Sequence, residues 1–250
     1  MTERKDRITA SFAAQADVYD AAADLQWLVA ERLAERILVQ LPQPPARILE
    51  IGCGTGFLST RLAEAYPEAS LTLTDIAPSM LARCRARLGE RPDYRVMDGE
   101  RPEGLDGPFD LVASNLAFQW FVDLEGSLRR LAGLLAPGGK LIFATLGHET
   151  FQEWRAAHQR LGLVCGTPLY PTLEDFPWPP LPFTHHGVEE IILHPYENGR
   201  DFVSSLKLLG ASEPLPGHRP LSPGAFRRLL AEFPQRFTMS YHILYGEILA

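Results

Sequence analysis

The feature with the most chemical content in this chain is a set of alternate glycines placed directly after an apolar run, Glu50-Ile51-Gly52-Cys53-Gly54-Thr55-Gly56. Residues without Cβ at a strand-to-helix turn let the main chain come close to a ligand, which is what the floor of a nucleoside pocket requires. A dinucleotide fingerprint would need its last glycine where Phe57 stands, which argues against NAD or FAD, and no Gly-Lys-Ser/Thr follows to make a P-loop. Asp75 ends the next apolar run, where a carboxylate can accept two hydrogen bonds from a ribose diol. Asp98, after the third run, suits an adenine amino group, and Asn115, after the fourth, can face either a cofactor or an acceptor. The plainer alternatives are a tight turn for the glycines and a helix N-cap for Asp75.

Other reactive residue types lack the spacing for a site. His148, His158, His185, His186, His194, His218 and His242 show no metal-ligand pattern, so no metal is expected. Cys53, Cys84 and Cys165 contain no C-x-x-C pair and are odd in number, which points to reduced thiols. There is no G-x-S-x-G elbow, and Cys53 reads as a small buried residue.

The elements that must hold these residues alternate between short apolar strands and helical periodicity, the signature of βα units on a mostly parallel sheet. Leu25, Val29, Leu33 and Ile37 form one helical stripe that stops before Pro42. Strands are expected at 47–51, 71–75, 94–97 and 109–114, with helices at about 57–66 and from Pro78. Leu124, Leu128, Leu131 and Leu135 read as one helix ending at Pro137-Gly138-Gly139, and a fifth strand starts at Lys140. Later come a strand at 188–194, a helix at 201–209, a Ser222-capped helix and a last strand within 237–249. Phe176-Pro177-Trp178-Pro179-Pro180-Leu181-Pro182 is a loop, since so many prolines cannot sit inside a helix.

With 250 residues, 46% hydrophobic and 22% charged, the chain fits one globular α/β domain. We divide it into a helical cap (1–44), a cofactor-binding core (45–146) and an acceptor-side half (147–250). The charged start, Met1 to Arg7, leads into no long apolar stretch, so a cytoplasmic protein without signal peptide or membrane span is expected. A net charge of −7 disfavours nucleic acid and anionic membranes as partners.

The run 48–56, Asp75, and Leu135-Ala136-Pro137-Gly138-Gly139-Lys140-Leu141 together resemble the class I S-adenosylmethionine-dependent methyltransferases. The resemblance implies a Rossmann-like, seven-stranded, mostly parallel sheet with an antiparallel last strand, helices on both faces and an N-terminal lid helix. Within that superfamily the chain is similar over essentially its whole length to the malonyl-acyl carrier protein methyltransferases of biotin synthesis, the BioC family. The closer match rests on Ser11-Phe12, Tyr19-Asp20 and Asp24-Leu25-Gln26, on 114–120 and 145–151, and on 205–211 and 240–244. The stretch 163–186 departs from the family pattern by being short and proline-rich, which implies a different acceptor lid.

The resemblance implies S-adenosylmethionine as methyl donor, held by Glu50, Gly52, Cys53, Gly54, Thr55, Gly56, Asp75, Ile76, Met80, Asp98, Gly99 and Asn115. The implied acceptor is the free carboxylate of malonyl-acyl carrier protein or malonyl-CoA. Being already ionised, it needs no general base. Tyr19 is expected to cover the methyl group, Gln119 and Trp120 to shape the acceptor pocket, and Lys207, with Arg200 as rival, to bind the carboxylate. Arg227-Arg228 or Arg129-Arg130 are candidate docking points for an acidic carrier protein. Competing readings are a methyltransferase for another small carboxylate and a non-catalytic S-adenosylmethionine-binding scaffold.

Overall fold

The computed structural model describes residues 3–180, 182–211, 213–215, 217–233 and 235–250. Met1 and Thr2 of the charged start and Leu181 of the proline-rich loop lie outside the described residues. The chain opens with α1 (Glu3–Gln15), a 3-10 turn (Tyr19–Ala22) and α2 (Asp24–Gln40). There follow β1 (Arg47–Ile51), α3 (Phe57–Ala65), β2 (Ser70–Asp75), α4 (Pro78–Leu88), β3 (Asp93–Val96) and β4 (Phe109–Asn115). A second 3-10 turn (Phe118–Trp120) leads to α5 (Leu124–Ala132), β5 (Leu135–Leu146), α6 (Gln152–Arg160) and β6 (Thr184–Tyr196). The chain then forms α7 (Gly199–Leu208), α8 (Pro223–Ala231) and β7 (Phe237–Leu249).

The strands form one seven-stranded sheet in the order β3-β2-β1-β4-β5-β7-β6. β1 pairs in parallel with both β2 and β4, whereas β7 is inserted antiparallel between β5 and β6. The order in which strands are added therefore reverses between the parallel neighbours β1 and β4, and the crevice beyond their carboxyl ends is where an open α/β sheet binds ligands. Ser114 reinforces that edge by donating to the Ile51 carbonyl at 2.9 Å.

Alternation along β1 feeds two cores, as a sheet covered on both faces requires. Ile48 packs with Val29, Leu33 and Ile37 of α2, and Leu49 and Ile51 pack with Leu128 and Leu131 of α5. The stripe expected at 25–37 is thus buried as one helix face. The cap divides in two: α2 belongs to the core, while α1 and the Tyr19–Ala22 turn lie over the crevice.

The strand expected at 188–194 extends over Thr184–Tyr196, α6 has no counterpart in the sequence reading, and one helix end differs from it. Leu135 is not the end of α5 but the start of β5, paired with Phe109 of β4. The helix stops at Gly133, and Leu134 accepts from the Phe109 amide at 2.8 Å. Pro137 and Gly138 then sit in an irregular stretch before the ladder resumes at Leu111–Lys140. A proline and two glycines are tolerated at such a bulge because no ladder hydrogen bond is demanded of each residue there.

Candidate cofactor and acceptor sites

The glycine loop leaves β1 at the reversal point. Gly52 and Gly54 adopt φ of +68° and +54°, the left-handed region that glycine enters without strain. A Cβ on Gly52 would stand 2.5 Å from the Ala117 Cβ, so the loop and the β4 exit touch through a missing side chain. Above Gly54 a Cβ would meet nothing within 4 Å; the main chain there borders open space, as a cradle for a ligand must.

That space is a cavity of about 970 Å³ including its mouth. It is lined by Glu50, Gly52, Cys53, Gly54, Thr55, Asp75, Ile76, Met80, Asp98, Gly99 and Asn115, so the expected cofactor residues converge with one exception. Gly56 does not line the cavity. It is the N-cap of α3 with φ +95°, and its missing Cβ makes room for the Cys84 thiol of α4, 2.8 Å away. Its role is to seat the helix behind the loop.

The polar groups of the cavity have defined partners. Asp75 accepts from the Gly54 amide at 2.9 Å and from Ala77 at 2.8 Å. Burial nevertheless pushes its pKa up to about 6, the amide donors offsetting only part of the cost. Glu50 is buried and accepts from Ser59 Oγ at 2.6 Å; burial drives its pKa well above the usual carboxylate range, with the Ser59 hydrogen bond opposing. Asn115 donates to the Gln26 carbonyl at 3.1 Å, while Asn115 Oδ1 and Gln26 Oε1 are buried without a donor among the described residues. Two orphaned acceptors in one cleft suit an aminoacyl ammonium, and a buried acceptor left unpaired costs roughly 1–3 kcal/mol until such a donor arrives. The cleft thus fits the aminoacyl nucleoside that the glycine loop suggested.

The lid supplies residues that sequence reasoning missed. Lys5, Ile8 and Phe12 of α1 line the cavity, and Lys5 Nζ bonds both Asp98 oxygens at 2.6 and 2.8 Å and also pairs with Glu100. Asp98, expected at an adenine amino group, is therefore also the anchor of α1. No local pattern could have announced a lysine 93 residues away. Tyr19 lines the same cavity, and burial, then Asp75 and Asp20, raise its phenol pKa so that the hydroxyl stays protonated.

A second cavity, about 1410 Å³ with its mouth, lies between α6, α7, α8, the segment 166–170 and the residues Ala211, Glu213, Pro214, His218, Pro220 and Leu221. Its walls are mainly apolar, including Phe151, Trp154, Tyr170, Leu206 and Phe226, and Trp120 lines both cavities. Trp120 meets Phe12 edge-on with ring centres 5.4 Å apart, so an aromatic pair marks the boundary. Lys207 lines the second cavity on α7, the helix that packs against the Tyr19–Ala22 turn. Arg200, at the opposite end of α7, is exposed and lines neither cavity. Gln119 is likewise absent from both walls. Its side chain is occupied by the Leu116 carbonyl and by Thr145 at 3.3 Å. Among the described residues no metal-binding cluster occurs, and no helix is long and apolar enough to cross a membrane.

Comparisons with known proteins agree with this geometry. A family model described as a methyltransferase domain matches residues 49–143, which contain the glycine loop and the reversal point. Among solved structures the chain is similar to the YcgJ protein of Bacillus subtilis, with a TM-score of 0.58 at 12% identity over 88% of this chain and 98% of that one, a likeness of fold alone. It is 45% identical over 96% of its length to the biotin biosynthesis bifunctional protein BioCD of Bordetella avium, of which it spans about half (51%). It is also 44% identical, over 91% of its length and 87% of the relative, to the malonyl-[acyl-carrier protein] O-methyltransferase of Magnetococcus marinus. By that near full-length match the chain belongs to the malonyl-[acyl-carrier protein] O-methyltransferase family of class I methyltransferases.

Proposed function

We propose that this protein transfers the methyl group of S-adenosylmethionine to the free carboxylate of a malonyl thioester carried by acyl carrier protein, giving the methyl ester. The observation that carries the reading is the junction at Trp120, which lines both the nucleoside cavity, with its Asp75 and its unpaired Asn115 and Gln26 oxygens, and a second, mainly apolar cavity. An acceptor on a long, mostly apolar arm can enter the second cavity and present its charged tip to the first. The relatives' names supply the identity of that acceptor.

When bound, S-adenosylmethionine supplies an electrophilic methyl group on sulfonium. Asp75 would hold the ribose, Asn115 and the Gln26 carbonyl oxygens the ammonium, and the Gly52–Gly54 main chain the body of the nucleoside. The attacking carboxylate is anionic at neutral pH, so the chain's task is to orient it and exclude water. Lys207, which lines the second cavity on α7, is the cation that would neutralise the carboxylate as it passes towards the junction. Tyr19, kept protonated, can donate to it but cannot act as base. Alignment of this kind contributes on the order of 7 to 11 kcal/mol, far beyond any single exposed ion pair.

Incubation with methyl-labelled S-adenosylmethionine and malonyl-, acetyl- and succinyl-carrier proteins tests the reading. Label on the malonyl form alone is expected. Label on succinyl and malonyl alike would move the assignment to a general small-carboxylate methyltransferase, and cofactor binding without any label would leave a scaffold.

A further inference from the structure

We infer that the rim of the second cavity, formed by segment 163–170, the C-terminal end of α7, residues 213–215 and 217–220, and the outer face of α8, is the docking surface for an acidic, helical carrier domain that delivers the thioester arm. The inference rests on the proposed acceptor reading and adds where the carrier sits.

Two independent features meet on this rim. The first is apolar exposure: Val164 and Leu169 are each 75% exposed, and Leu208 and Leu215 are also exposed. Each is a near neighbour in sequence of a wall residue, Gly166, Pro168, Lys207 and Pro214 respectively. Four large apolar side chains left in water close in the chain to residues that wall one cavity offer a partner apolar area where a contact would form. The second is charge. From Phe202 to Ala231 the basic residues are Lys207, Arg219, Arg227 and Arg228, and the acidic one is Glu213, which is bonded to Arg7 at 2.7 Å. Arg219, Arg227 and Arg228 are exposed and make no ion pair among the described residues. A cationic, apolar-studded rim on a chain of net charge −7 is complementary to a small acidic domain with apolar residues on its helix.

The rival pair, Arg129 and Arg130, sits on α5, which contributes to neither cavity. Arg130 is held by Asp123 at 3.0 Å and by the Glu100 carbonyl at 2.8 Å, so it serves the fold.

The test compares full-length wild type with Arg219→Glu, Arg227→Glu and Leu169→Asp, using malonyl-carrier protein and malonyl-pantetheine as acceptors. Binding of S-adenosylhomocysteine serves as the check on folding. Each variant should raise KM for the carrier-bound substrate about tenfold, a rise that shrinks with added salt for the arginine variants, and leave kcat and KM for malonyl-pantetheine unchanged. An equal loss on both acceptors in a cofactor-binding variant, no loss on either, or a carrier-specific loss from Arg129→Glu instead would overturn the assignment. If wild type methylates neither malonyl thioester, the acceptor reading itself has failed and the docking surface falls with it.

Discussion

Thr55 of the glycine loop donates a hydrogen bond to the Asp20 carboxylate at 2.6 Å, joining the cofactor floor to the turn that carries Tyr19. Asp20 is shared with Arg87 of α4, so lid, loop and the helix behind the loop meet at one carboxylate. A charge-assisted hydrogen bond of this kind contributes about 1.5–3 kcal/mol. Replacing Thr55 by Val keeps the shape and deletes the donor. The expected result is faster amide hydrogen exchange across residues 3–22 and S-adenosylhomocysteine binding weakened by roughly tenfold, read by calorimetry. Unchanged exchange would show that the Thr55–Asp20 hydrogen bond does not hold the lid.

Asp75 gives the cofactor affinity a pH dependence. Burial has raised its pKa to about 6, so without ligand the carboxyl is largely protonated at pH 5 and largely ionised at pH 7. A ribose diol donates to the ionised form and therefore selects it. Affinity should fall by about tenfold between pH 7 and pH 5, with a proton released on binding at the lower pH, and level off above pH 7. The same shift has a consequence for the empty protein: because the folded state holds this proton more tightly than the unfolded chain, the contribution of Asp75 to stability is greatest below pH 4 and is lost as pH rises through 6. Asp75→Asn should bind more weakly at pH 7 and show a flat profile; titrations of both proteins at several pH values provide the check.

Gly52 is the point at which the loop tolerates no side chain. Gly52→Ala must place a Cβ 2.5 Å from Ala117 and hold a non-glycine residue at φ +68°, the latter costing about 1–2 kcal/mol before any clash. Gly54→Ala carries the conformational cost but meets open space. Thermal unfolding should therefore shift more for Gly52→Ala, whereas Gly54→Ala should act mainly on cofactor affinity by filling the cradle.

Cys165 is the thiol expected to react first. Burial works against its ionisation, but hydrogen bonds with His158 and Thr167 outweigh it and hold the pKa below the usual thiol value. His158 is oriented for this by the Trp154 carbonyl at 2.9 Å on Nδ1. Cys53 and Cys84 are buried. Limited iodoacetamide at pH 7 followed by peptide mapping should mark Cys165 ahead of both, and His158→Gln should slow that labelling several-fold. Since His158 lines the second cavity, a malonyl thioester bound there as proposed should slow it as well.

The parts of the fold that were legible before the structure are those written in short-range patterns. Gly52 and Gly54 after β1, Asp75 at the end of β2 and the stripe of α2 are local signals; the first three line the cavity and the stripe is buried, whereas Gly56, carried along by the same pattern, packs against Cys84 instead. Leu135 misled because it continues the spacing of Leu124, Leu128 and Leu131; periodicity alone cannot tell a fourth helical turn from the first residue of a strand. Gln119 misled differently, since a position beyond β4 says nothing of where a side chain turns, and this one turns to Leu116 and Thr145. Lys5 and the second cavity had no local signature. One acts across 93 residues, and the other is walled largely by loops that carry no hydrophobic period.

Lys207 and Arg200 separate the two acceptor assignments that spacing left open. They share α7, yet its C-terminal end carries Lys207 to the second cavity and its N-terminal end leaves Arg200 outside both. If Lys207 neutralises the malonyl carboxylate, Lys207→Met removes a charge while preserving the apolar stem that covers the cavity wall. KM for malonyl-carrier protein should rise at least tenfold and kcat should fall, with S-adenosylhomocysteine affinity unchanged. Arg200→Met should leave all three values within about twofold of wild type. The reverse pattern would mean that α7 turns on cofactor binding to bring its other end inward, and the carboxylate contact would then belong to Arg200.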